Sequence, residues 1–73
     1  MPKLPVVSGK ECRKALMRLG YEEIRQRGSH VVMRRAESGC VIPMHGEIKT
    51  GTLSGILRQA GLNVEEFIEA LGK

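Results

Sequence analysis

The chain has 73 residues, with 12 Lys and Arg against 8 Asp and Glu, for a formal net charge of +4. A chain this short makes one domain, residues 1–73, with a thin core, and leaves no room for a separate cofactor-binding domain. One Tyr and one Phe leave the core to aliphatic side chains and argue against an aromatic stacking platform for single-stranded bases.

The basic excess alone is no more than ordinary solubility charge. Its distribution along the chain points instead to a polyanion or an acidic protein surface. Cys12 and Cys40 match no CxxC or zinc-finger spacing and read as small hydrophobes in a reducing cytosol, so the expected location is cytoplasmic. The stretch from Met1 to Val7 is too short for a signal peptide and carries two prolines. No apolar run approaches the ~20 residues of a membrane span, so no membrane is expected as a partner.

Ser8-Gly9-Lys10-Glu11 forms a capping box that starts a first helix, with Ser8 as N-cap and Glu11 three residues on. Cys12, Ala15, Leu16 and Leu19 give its apolar face, while Lys10, Arg13, Lys14, Met17 and Arg18 project from the other. Gly20 supplies a left-handed cap, so the helix is predicted over about Gly9–Leu19. A first strand is predicted over Tyr21–Arg27 and a short turn at Gly28-Ser29. The second strand is predicted over His30–Arg35, with His30, Val32 and Arg34 on one face and Val31 and Met33 on the other. Ala36-Glu37-Ser38-Gly39 reads as a turn, and Cys40-Val41-Ile42 as a third strand stopped by Pro43. A loop from Met44 to Lys49 holds His45. A second helix starts near Thr50 or Thr52, with Leu53, Ile56, Leu57 and Ala60 facing the core, and ends at Gly61. Asn63 and Glu66 cap a third helix with Val64, Phe67, Ile68 and Leu71 as its stripe, before Gly72 and Lys73.

The expected fold class is therefore α+β. Three strands joined by short turns make a three-stranded antiparallel sheet, covered on one face by helices and open on the other. The order is that of the double-stranded-RNA-binding domain, with one helix added at the C-terminal end. Fold alone does not establish function.

The chemistry centres on Gly28-Ser29-His30. RNA cleavage needs a base for the 2′-OH proton and an acid for the leaving 5′-oxygen, and histidine suits either near neutral pH. Arg25, Arg27 and Arg34 in the same hairpin could stabilise charge on a phosphorane-like transition state. The Gly28 turn permits close backbone approach, and Ser29 could contact a phosphate. Against this, a lone histidine near a turn is commonly just an exposed strand residue. His45 suggests a two-histidine scheme, or else a loop histidine bonded to backbone. No metal site is expected: neither histidine has ligand spacing to the other or to a cysteine, and no carboxylate cluster accompanies them. No cofactor is expected either. The basic face of the first helix carries only Glu11 between Lys10 and Arg18, so pairing along the helix does not neutralise it. A one-signed face of this kind suits phosphate contacts through Lys10, Arg13 and Lys14. Lys49 and Thr50 could add a contact at the start of the second helix.

The chain resembles the HicA (YcfA-like) toxins of toxin–antitoxin systems. The resemblance runs through Ser8-Gly9-Lys10-Glu11, Leu19-Gly20-Tyr21, Arg25-Gln26-Arg27-Gly28-Ser29-His30, Val41-Ile42-Pro43-Met44-His45 and Gly51-Thr52-Leu53-Ser54-Gly55-Ile56-Leu57-Arg58-Gln59-Ala60-Gly61-Leu62. It implies an mRNA interferase: a small, metal-independent endoribonuclease with a double-stranded-RNA-binding-like fold that cuts mRNA and halts translation. It also implies a HicB antitoxin that masks the active site, and it maps the family's catalytic histidine onto His30. The residues alone leave two alternatives standing, a non-catalytic RNA-binding module and a protein-interaction module whose basic face meets an acidic partner.

Overall fold

The computed structural model describes residues 3–72. Met1, Pro2 and Lys73, placed by the sequence reading at the chain ends, lie outside them. The element order is α1 (Gly9–Arg18), β1 (Glu22–Arg27), β2 (His30–Arg35), β3 (Ser38–Pro43), α2 (Thr50–Ala60) and α3 (Val64–Ala70). The three strands form one antiparallel sheet in the order β1-β2-β3. The fold is the α+β arrangement that the sequence predicts.

Both predicted capping boxes form. The Glu11 amide donates to Ser8 Oγ (3.1 Å) and the Ser8 amide to Glu11 Oε1 (2.9 Å). Asn63 and Glu66 repeat the exchange at 2.8 and 3.0 Å. Each box satisfies two helix-start donors that have no partner inside the helix.

Three boundaries differ from what the sequence predicts. α1 ends at Arg18, with Leu19 as its C-cap. β1 starts at Glu22, because Tyr21 turns into the core and its hydroxyl donates to the Ala60 carbonyl. β3 is longer than Cys40–Ile42 at both ends: Ser38 pairs with Arg35 and Gly39 with Arg34, which shortens the turn to Ala36-Glu37, and Pro43 pairs with His30 rather than stopping the strand, since on an edge strand it need not donate to the ladder. α2 starts at Thr50, where the sequence places it, behind Lys49 as N-cap, whose side chain makes no cap hydrogen bond.

The core lies between one face of the sheet and the helices. Val31, Met33, Cys40 and Ile42 point into it from β2 and β3, against Cys12, Ala15 and Leu16 of α1, Leu53 and Ile56 of α2, and Phe67 of α3. Ile68, read as core, is half-buried, because the short α3 turns Phe67 and Ala70 inward. Truncating a fully buried Leu16 or Phe67 to alanine would cost about 2–5 kcal/mol. All six residues of β1 are exposed, since it is an edge strand beyond the reach of most of the helical layer. A bulge between Glu23 and Arg25 turns its register, leaving Ile24 unpaired.

Candidate active site

His30 is the first residue of β2 and stands opposite Arg27 on β1 and Pro43 on β3. Alternation along the strand sends Val31 and Met33 into the core and keeps His30, Val32 and Arg34 on the open face. Directly opposed residues share a face. Arg25 and Val41, both opposite Val32, therefore join His30, Arg27 and Pro43 there.

The Gly28-Ser29 turn closes this end of the sheet, with Gly28 at φ 56°, a value that favours glycine. The Ser29 carbonyl accepts from the Met44 amide at 2.6 Å. That bond carries the β2–β3 pairing one step past His30 and sets Met44-His45 beside the turn. From the other side the Gly9 amide donates to the His45 carbonyl at 2.8 Å. The hairpin turn, the His45 segment and the start of α1 thus meet at one end of the fold.

α2 runs beside β3 and raises a wall next to the open face. Thr52, Gly55, Ile56 and Gln59, at helical spacing, face His30, Val41, Pro43 and His45 across an open groove of about 560 Å³. The two histidines, distant in sequence, line the same groove. Neither imidazole has a hydrogen-bond partner among the described residues. Among the described residues, no group of three or more His, Cys, Asp or Glu side chains could hold a metal ion.

The other predicted residues separate into two groups. Arg25 and Arg27 stand on the His30 face, with Gly28 and Ser29 at its end. Lys10, Arg13 and Lys14 belong to α1, which packs against the opposite, covered face. Lys10 and Lys14 are exposed. Arg13 is engaged: its Nε lies 2.6 Å from Glu23 Oε1 on β1, so its charge is balanced across elements rather than along the helix. Arg18 caps α3 by donating to the Ala70 carbonyl at 2.8 Å. The sequence assigns Thr52, Gly55 and Gln59 to α2 but gives them no role in the site. Gly55 gave the one available signal, a glycine inside a helix.

The cysteines offer no nucleophile to this site. Both are buried and free. Burial, then the neighbouring Cys40, pushes the Cys12 thiol up to about 12, and burial pushes Cys40 up to about 11. Both stay protonated at neutral pH.

The family model described as the HicA toxin of bacterial toxin–antitoxin systems matches residues 9–62. The chain belongs to the HicA toxin family. The matched span begins at the glycine that touches the His45 segment. It takes in the whole sheet, both histidines and α2. Family membership makes the HicA chain a toxin and implies an antitoxin partner. Comparison with curated proteins gives no match. Among its described residues no helix is long and apolar enough to cross a membrane.

Proposed function

We propose that this HicA-family toxin is an endoribonuclease that cuts mRNA, using His30 to move protons and needing no metal. The observation that carries the reading is the convergence of His30 and His45 on one open groove, beside Arg25 and Arg27. His30 takes the 2′-OH proton as general base. The 2′-oxygen then attacks the adjacent phosphorus and the bond to the 5′-oxygen breaks. The products are a 2′,3′-cyclic phosphate and a 5′-OH end, the leaving oxygen being protonated by the conjugate acid of a histidine. His45, on the same groove, is the auxiliary candidate for that second transfer. Arg27, opposite His30, faces the charge that develops on the phosphorane-like oxygens. Gly28 and Ser29 position the scissile phosphate.

Lys10 and Lys14 supply backbone affinity from the other face, so the RNA strand passes round the hairpin end rather than lying in the groove alone. Arg13 contributes less, because Glu23 already shares its charge. The antitoxin, a HicB protein on this reading, covers His30 and mimics the charge of RNA.

A binding module without catalysis is favoured by one observation: no side chain orients either imidazole. The experiment that separates the two readings is incubation of purified protein with end-labelled RNA in EDTA. Cleavage to cyclic-phosphate and 5′-OH ends supports the nuclease. Salt-sensitive binding with intact RNA supports the binding module.

A further inference from the structure

The open face of the sheet holds a second hollow, also about 560 Å³, next to the His30 groove. Ile24, Val32 and Val41 line it with apolar surface, and Arg25, Arg34 and Gln59 add polar groups. The two hollows share Val41 and Gln59, so they form one continuous trough. At ~3.3 Å per residue along β2, the step from His30 to Arg34 is about 13 Å. That length reaches beyond a single phosphate to the sugar and base of a neighbouring nucleotide.

Apolar side chains gathered on a solvent-facing sheet require an explanation. Ile24 is 53% exposed and Val41 42% exposed. The bulge that interrupts β1 is at Ile24, so the irregularity of the strand and the apolar floor coincide. No carboxylate lines either hollow. Glu22 stands opposite Arg34 by register, but no salt bridge joins them among the described residues. An apolar floor between guanidinium groups suits a flat, uncharged base attached to an anionic backbone.

Gln59 supplies the means of telling one base from another. The Gln26 side chain is used internally, its Nε2 donating to the Gly28 carbonyl at 3.1 Å. The Gln59 amide has no hydrogen-bond partner among the described residues. It therefore presents a donor and an acceptor together, the combination that reads base edges. Gly55, one turn earlier on α2, lines the His30 groove beside it. A Cβ added there would meet nothing within 4 Å, so packing does not require a glycine that disfavours the helix.

We propose that this second hollow is a nucleobase subsite for the nucleotide adjoining the scissile phosphate, and that Gln59 sets the base preferred there. The proposal rests on the RNA-cleaving reading above. The test is to digest a random-sequence RNA pool with wild type and with Gln59→Ala and to sequence the fragment ends. The wild type is expected to prefer one base at a position flanking the cut. Gln59→Ala should still cut while losing about tenfold of that preference. A wild type that cuts with no flanking preference, or a Gln59→Ala profile identical to it, overturns the subsite alone. A wild type that leaves the pool intact overturns the cleavage reading, and the subsite with it.

Discussion

The backbone amide of Gly9 donates to the carbonyl of His45, and a Cβ on Gly9 would lie 2.6 Å from both Met44 Cα and the Pro43 carbonyl oxygen. The obstructing atoms are backbone and cannot rotate away. Only glycine lets the first turn of α1 rest against the segment that carries the second histidine.

Gly9→Ala should therefore cost about 1–3 kcal/mol, as overpacking does. It should also slow RNA cleavage well below its melting temperature, because the His45 segment must move to make room. Denaturant midpoints and cleavage rates on the same preparation check both effects. Full activity in a destabilised Gly9→Ala protein would separate His45 from the chemistry.

The two lysines and the engaged arginine of α1 should behave differently toward RNA. Lys10→Ala and Lys14→Ala should each lower the slope of log affinity against log salt by ~0.7, the single-strand value per phosphate contact. Arg13→Ala should lower it less, since Glu23 holds its guanidinium. Glu23→Gln should strengthen binding by releasing Arg13. The half-exposed pair should cost only ~0.2–1 kcal/mol of stability when broken. Binding titrations across a salt series decide this.

The two hairpin turns make opposite predictions. Ala36 sits at φ 53°, where its Cβ is a burden. Ala36→Gly should stabilise the protein by up to ~1 kcal/mol. Gly28 sits at φ 56° with open space around it, so Gly28→Ala should cost ~1–2 kcal/mol from backbone conformation alone. Thermal melts of both variants measure the pair.

Alkaline pH should destabilise the fold through its thiols. The Cys12 and Cys40 values are raised by burial from 9.0 to about 12 and about 11, so the folded state favours the protonated form. That contribution is complete below the unfolded value and is lost as pH rises through the folded ones. Burial also raises Tyr21, which adds to the same trend. The melting temperature should fall from about pH 9 upward. Cys12→Ala should melt lower at neutral pH but lose less over the alkaline range.

Much of the fold was readable because local chemistry agreed with the final structure. Ser8 with Glu11 and Asn63 with Glu66 announce their helices, and alternation along His30–Arg35 assigns both faces of β2. Ser38 and Gly39 misled because their turn propensity is overridden by pairing with Arg35 and Arg34. The Arg13–Glu23 pair and the bulge at Ile24 depend on how α1 and β2 settle against β1, and no local pattern encodes that. His30 could be selected from its motif. Its meeting with His45 could not, because the Ser29–Met44 and Gly9–His45 backbone bonds that create it are tertiary. The wall of the groove was hidden for the same reason: nothing in the α2 sequence says which strand edge the helix will flank.

The most direct test of the central claim is His30→Ala, assayed for cleavage of labelled RNA in EDTA beside the wild type. His30 is exposed and its side chain holds no hydrogen bond among the described residues, so the variant should fold and still bind its antitoxin. Cleavage and growth inhibition should both be abolished while RNA binding persists. A folded His30→Ala protein that cuts RNA at the wild-type rate would contradict that claim.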